Sequence, residues 1–142
     1  MAKLEFSLPE AFVFRTEIAL LRSHINAGNH LGNDALIGLL NEARGRFLSG
    51  RGVREGGRDD GLAMVNADMA VRYLSEAHYG ETLCFEVAAN DFHRCGFDIA
   101  YRVTESLSGR LVALAKTAHL MMSLQSGRAV DAPAELLAAL KA

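Results

Sequence analysis

The chemistry-bearing residues of this chain crowd into one short run, His24-Ile-Asn-Ala-Gly-Asn-His-Leu-Gly-Asn-Asp34, followed at once by Ala-Leu-Ile-Gly-Leu-Leu-Asn-Glu-Ala-Arg44. A polar loop of Asn, His and Gly runs straight into an apolar stretch with helical spacing. The first N–H groups of a helix have no partner within it and carry the positive end of its dipole. A carbonyl oxygen is easily polarised at such a start. The backbone at Asn33 and Ala35 would supply donors to a substrate there, with Asn26, His30 and Asp34 nearby in sequence.

Alternating apolar residues predict five strands that position this loop. Phe12, Phe14, Thr16, Ile18 and Leu20 share one face of the first. Ala63, Val65, Ala67, Met69, Val71 and Tyr73 share one face of the second, with Asn66, Asp68 and Arg72 opposite. Leu83 to Ala89 and Phe97 to Val103 read as the third and fourth, and Leu111 to Leu124 as a fifth, apolar on both faces. That last pattern suits a central strand or one buried between subunits.

Between the first two strands, Leu36, Leu39, Leu40, Ala43 and Phe47 recur at three- and four-residue spacing, which predicts a helix over 34–48. About fifteen residues at about 1.5 Å each make a rod of about 22 Å, close to the width of five strands spaced about 4.8 Å apart. A short second helix is expected near Pro133 to Leu140, and residues 49–61 read as a polar, glycine-rich connector. One long helix packed on a five-stranded antiparallel sheet makes the class α+β, with a single domain over 1–142.

At 142 residues and half hydrophobic, the chain is long enough for a core without staples. No apolar run reaches membrane-spanning length, and no signal-peptide pattern opens the sequence. Cys84 and Cys95 lack metal-type spacing, so free thiols in a reducing cytoplasm are expected. A net charge of −2 without a basic helix or arm argues against nucleic acid as a partner.

This order of elements, with these residues at the loop–helix join, resembles the hotdog-fold acyl-CoA thioesterases of the 4-hydroxybenzoyl-CoA thioesterase type. Their pattern is roughly Asp-x-Asp-x-x-Gly-His-Val-Asn-Asn before the helix, which ends in Glu-Ala-Arg. Here His24, Asn26, Asn29, His30, Leu31, Gly32 and Asn33 fall on that loop, and Glu42-Ala43-Arg44 on the helix signature. Tyr73, Glu76-Ala77 and Tyr79-Gly80-Glu81 resemble the family's second strand and the turn after it. The family's usual catalytic carboxylate aligns with Asn26, and the acidic position before it with His24. Some branches carry Asp-Ile-Asn followed by His-Leu-Gly-Asn-Asp, a pattern in which Asn26 is at home.

The resemblance implies a thioester hydrolase acting on acyl-CoA without metal or cofactor, with its site between the subunits of a homodimer or a dimer of dimers. Hydrolysis needs an oriented water, a proton acceptor and donors for the oxyanion. Asn26 is suited to holding the water or the carbonyl. As base, His30, Asp34 and Glu42 are the candidates, each with a plain alternative: a loop histidine on backbone carbonyls, a helix-capping carboxylate, and a salt bridge to Arg46. Asn66 and Asp68 could reach substrate from a partner chain, or face water. Two other readings stay open, an enoyl-CoA hydratase or dehydratase and a non-catalytic acyl-CoA binding protein.

Overall fold

The computed structural model describes residues 4–141. Strand β1 (Phe14–Ala19) leads through a short 3-10 turn (Arg22–His24) and the polar loop into helix α1 (Asn33–Gly50). Four strands follow, β2 (Leu62–Tyr73), β3 (Thr82–His93), β4 (Gly96–Glu105) and β5 (Leu111–Ser123), then helix α2 (Ala134–Lys141). All neighbours in the sheet are antiparallel, in the order β1-β3-β4-β5-β2. Among the described residues no helix is long and apolar enough to cross a membrane.

The stripe on α1 settles how the layers meet. Leu36, Leu39, Leu40, Ala43, Arg44, Phe47 and Leu48 are buried on one side of the helix. They pack on a sheet face built from Leu83, Phe85, Val87, Phe97, Ile99, Tyr101, Val103, Ala113 and Ala115. Phe14 of β1 meets Phe47 of α1, ring centroids 5.6 Å apart. The start of β4 can pair with β5 because Gly96 has no side chain: a Cβ there would overlap the backbone carbonyl of His119 on β5.

One expectation is met in detail and one needs correction. The expected second helix is present and adds to the one long helix of the fold: α2 buries Leu136 and Leu140, and Lys141 caps the Phe92 ring at 4.9 Å, so it belongs to the fold's packing. By contrast, β2 does not keep one face throughout. Asn66 pairs with His119 and Asp68 with Ala118, leaving Ala67 as an extra residue in a bulge. The parity flips there. Met64 is buried toward α1 on one side of the bulge and Met69 and Val71 pack against the core on the other, while Ala63 and Val65 turn outward. Asn66 and Asp68 therefore sit on opposite faces.

Candidate active site

The loop before α1 is held by its own backbone. Ile25 and Leu31 form a bridge, the Asn26 N–H donates to the His30 carbonyl at 2.9 Å, and the Gly32 N–H donates to the His24 carbonyl at 3.0 Å. At the tip, the Asn29 N–H donates to the Asn26 carbonyl at 3.0 Å, and Asn29 takes the left-handed φ of 72° that asparagine tolerates. The Asn26 side-chain oxygen accepts the Gly28 N–H at 2.9 Å, which leaves its NH₂ group for other partners. His24 Nδ1 accepts the Leu21 N–H at 2.9 Å and is spent on the turn.

Gly32 is the N-cap of α1, in extended geometry, and no side chain caps the helix. The first N–H groups are thus left for a ligand. An added Cβ on Gly32 would lie 2.8 Å from Asp34 Oδ1 and 3.7 Å from Asn26 Cβ, so both side chains crowd over this glycine. One on Gly28 would lie 3.2 Å from His30 Nε2 and 3.3 Å from Asn26 Oδ1. The helix start, Asn26, His30 and Asp34 therefore gather in one place.

Beside them opens a cavity of ≈ 280 Å³. His30, Asn33, Ser75 and Glu76 give it polar walls, and Leu31, Leu36, Tyr73, Leu74, Ala77 and Val112 give it apolar ones. The turn after β2 reaches it because the Leu31 N–H donates to the Ala77 carbonyl at 2.7 Å. Arg110 fixes that turn by donating to the Glu76 carbonyl at 3.0 Å and to Glu81 at 3.0 Å. Partial burial opposes ionisation of Glu81, but the His78 N–H and Arg110 outweigh it and hold the carboxyl below its usual range.

Within the cavity, His30 Nδ1 lies 3.3 Å from the Leu31 carbonyl and Nε2 3.9 Å from Glu76 Oε1. A ring N–H on Nδ1 satisfies that carbonyl and leaves the Nε2 lone pair free. Glu76, which the sequence reading passed over as a turn residue, is placed to meet the imidazolium once formed. Among the described residues, no three His, Cys, Asp or Glu side chains are gathered as metal ligands.

The other candidates lie elsewhere. Glu42 is exposed two turns along α1, where it pairs with Arg46 at 2.8 Å. Arg46 also donates to Thr16 Oγ1 at 2.8 Å, which ties this pair to β1. Asp68 faces outward and pairs with Lys116 at 3.0 Å. Asn66 is on the helix-facing side, but it lies seven residues from Tyr73, about 23 Å along an extended strand. Ala35 follows Asp34 in the first turn, half-buried.

A second polar system runs through the core. Arg44 donates to Glu55 at 2.7 Å and to Tyr101 at 3.5 Å; Tyr101 and Thr117 oxygens are 2.7 Å apart, as are Thr117 and His119 Nε2. Arginine only donates, so the Tyr101 oxygen accepts from Arg44 and its O–H is left to donate to Thr117, which shares a hydrogen with His119 Nε2. His119 Nδ1 is buried without a hydrogen-bond partner. Burial first, then the charge of Arg44, pushes the His119 pKa down to about 3. Burial raises the Tyr101 phenol, so it stays protonated.

Because the unfolded histidine titrates near 6.5, the unfolded chain binds the proton that the fold refuses between pH 6.5 and about 3. Stability is full above pH 6.5 and falls toward acid, by up to about 1.4 kcal/mol per pH unit from this group. Denaturant unfolding at a series of pH values is expected to show that slope in the native protein and a shallower one in His119→Gln.

Residues 21–140 match the family described as the thioesterase-like superfamily. The chain belongs to the thioesterase-like superfamily. Solved structures similar to this superfamily member include the 1,4-dihydroxy-2-naphthoyl-CoA thioesterase Slr0204 from Synechocystis, at 17% identity and a TM-score of 0.84, covering 90% of this chain and 95% of that one. SAV2348 from Staphylococcus aureus in complex with CoA follows at 14% and 0.83, covering 96% and 86%. A mutant 4-hydroxybenzoyl CoA thioesterase complexed with 4-hydroxybenzoyl CoA matches at 15% and 0.80, covering 89% and 97%. No curated protein matches in sequence. At these identities the likeness speaks for the fold, which is the hotdog architecture of one sheet wrapped on a central helix.

Proposed function

We propose that the chain is an acyl-CoA thioesterase, and that the uncapped start of α1, open to a cavity carrying His30, is where the thioester is hydrolysed. Membership of the thioesterase-like superfamily supports the class. The observation that carries the site is Gly32, an N-cap with no side chain to occupy the first N–H groups of the helix. Similar structures bound to CoA or a CoA ester lend further support.

The thioester carbonyl oxygen accepts from the N–H groups at Asn33 to Ala35, and the dipole favours the charge that grows on it. The Asn26 amide group holds the attacking water. His30 Nε2 takes a proton from that water as its oxygen bonds to the carbonyl carbon, and Glu76 steadies the imidazolium. Collapse of the tetrahedral intermediate breaks the C–S bond, and His30 returns the proton to the departing sulfur, giving a carboxylic acid and free CoA. Asp34 shapes the mouth above Gly32.

A homodimer fits this reading. β2 is an edge strand of twelve residues, and an edge of that length invites pairing. Tyr73, Leu74 and Ile37 are exposed apolar side chains on β2, just after it and on α1. The free cysteines Cys84 and Cys95 suit a cytoplasmic setting.

Free-thiol release from acyl-CoA tests the reading, and Gly32→Ala tests the site. The added methyl comes under 3 Å only of the end of the Asp34 side chain, which can turn aside, so the fold tolerates it, while a methyl at the N-cap is expected to narrow the approach to the donors. The expected result is a tenfold loss in kcat/KM, about 1.4 kcal/mol of transition-state stabilisation, with little change in melting temperature. Unchanged kcat/KM would place the chemistry away from the helix start.

A further inference from the structure

We propose that Val112, pushed out of register by a β-bulge, is the floor of the acyl pocket and confines the chain to short acyl thioesters. This rests on the thioesterase reading and adds the substrate class to it.

Val103 of β4 pairs with Ala113 and Thr104 with Leu111, so Val112 is the extra residue between them. On β5 the side facing α1 continues through Ala113, Ala115, Thr117, His119 and Met121, all buried. Strict alternation would turn Val112 outward with Leu114. Instead it is 3% exposed and lines the cavity. A bulge re-aims a side chain in this way. The position is held, because the Val112 carbonyl accepts the N–H groups of Leu74 at 2.9 Å and Ser75 at 3.2 Å. A β-branched side chain adds a stiff surface.

Leu36 and Ala77, each 1% exposed, close the inner wall with Val112. The polar groups His30, Asn33 and Glu76 line the same cavity, where the thioester would sit. At ≈ 280 Å³ the whole space is small. Pockets for drug-sized ligands run from about 300 to 1,000 Å³. With the thioester and the start of the thiol arm at the mouth, the room that remains suits a short acyl group rather than a long one.

The test is kcat/KM for free-thiol release across straight-chain CoA esters from acetyl to palmitoyl, for the native protein, Val112→Ala and Val112→Ile. The native optimum is expected at butanoyl or hexanoyl, with dodecanoyl at least about tenfold lower, the scale on which a hydrophobic pocket rejects an oversized group. Val112→Ala should move the optimum to longer chains and Val112→Ile to shorter ones. The isoleucine variant keeps the test open if the alanine variant is unstable. A native preference for dodecanoyl or longer, or one optimum shared by all three proteins, would overturn the inference. No thiol from any ester would instead remove the thioesterase reading, and the inference with it.

Discussion

Arg44→Ala is expected to destabilise the fold by about 2–5 kcal/mol, as truncating a large core side chain does. The Arg44 side chain is 8% exposed, wedged between α1 and the sheet. Burial works against its charge, but Tyr101 and Glu55 outweigh that and keep it protonated. Truncation would open a void in the core, leave the part-exposed Glu55 carboxylate without its cation and take away the donor to Tyr101. Arg44→Met should cost clearly less, because an unbranched apolar side chain refills the space without a buried charge. Urea unfolding of the three proteins separates the cases. Equal losses in the two variants would mean that the ion pair itself, rather than filled volume, holds α1 to the sheet.

The second large effect falls on rate. His30→Ala should lower kcat/KM for thioester hydrolysis by about a hundredfold, or about 2.7 kcal/mol, the lower range of what a positioned base contributes. His30→Gln, which keeps a hydrogen-bonding side chain but cannot take the proton from water, should lose as much. Asp34→Asn, with the other carboxylate at the mouth changed, should keep most of the native rate. The reverse pattern would make Asp34 the base and His30 a loop residue.

The layering of this protein was legible because it follows from period alone. The apolar stripe Leu36, Leu40, Ala43, Phe47 announces a helix that must lie on a sheet, and α1 spans 33–50 against the expected 34–48. Two of the bulges were not legible, since their extra residues are Ala67 and Val112, whose side chains break no pattern on paper. One slip of register then sends Ala63 and Val65 outward and brings Val112 in. The loop's place beside the helix start could be read from the run of polar residues ending at Gly32. Glu76 could not, because its approach to His30 depends on the backbone bond from Leu31 to Ala77 and on the Arg110 clamp, which join segments far apart in sequence. The core relay did leave a trace. Thr117 and His119 share the parity of Ala113 and Ala115, so two polar residues stood on a buried face.

If thioesters are split at the start of α1, free thiol and carboxylic acid must form in equal amounts. Purified protein incubated with butanoyl-CoA, and separately with crotonyl-CoA, is followed for free thiol and for the carboxylic acid or hydrated ester. Equal amounts of thiol and acid, reduced about a hundredfold in His30→Ala, are the result expected here. Hydration of crotonyl-CoA without thiol release, or tight binding of both esters with no turnover, would contradict it.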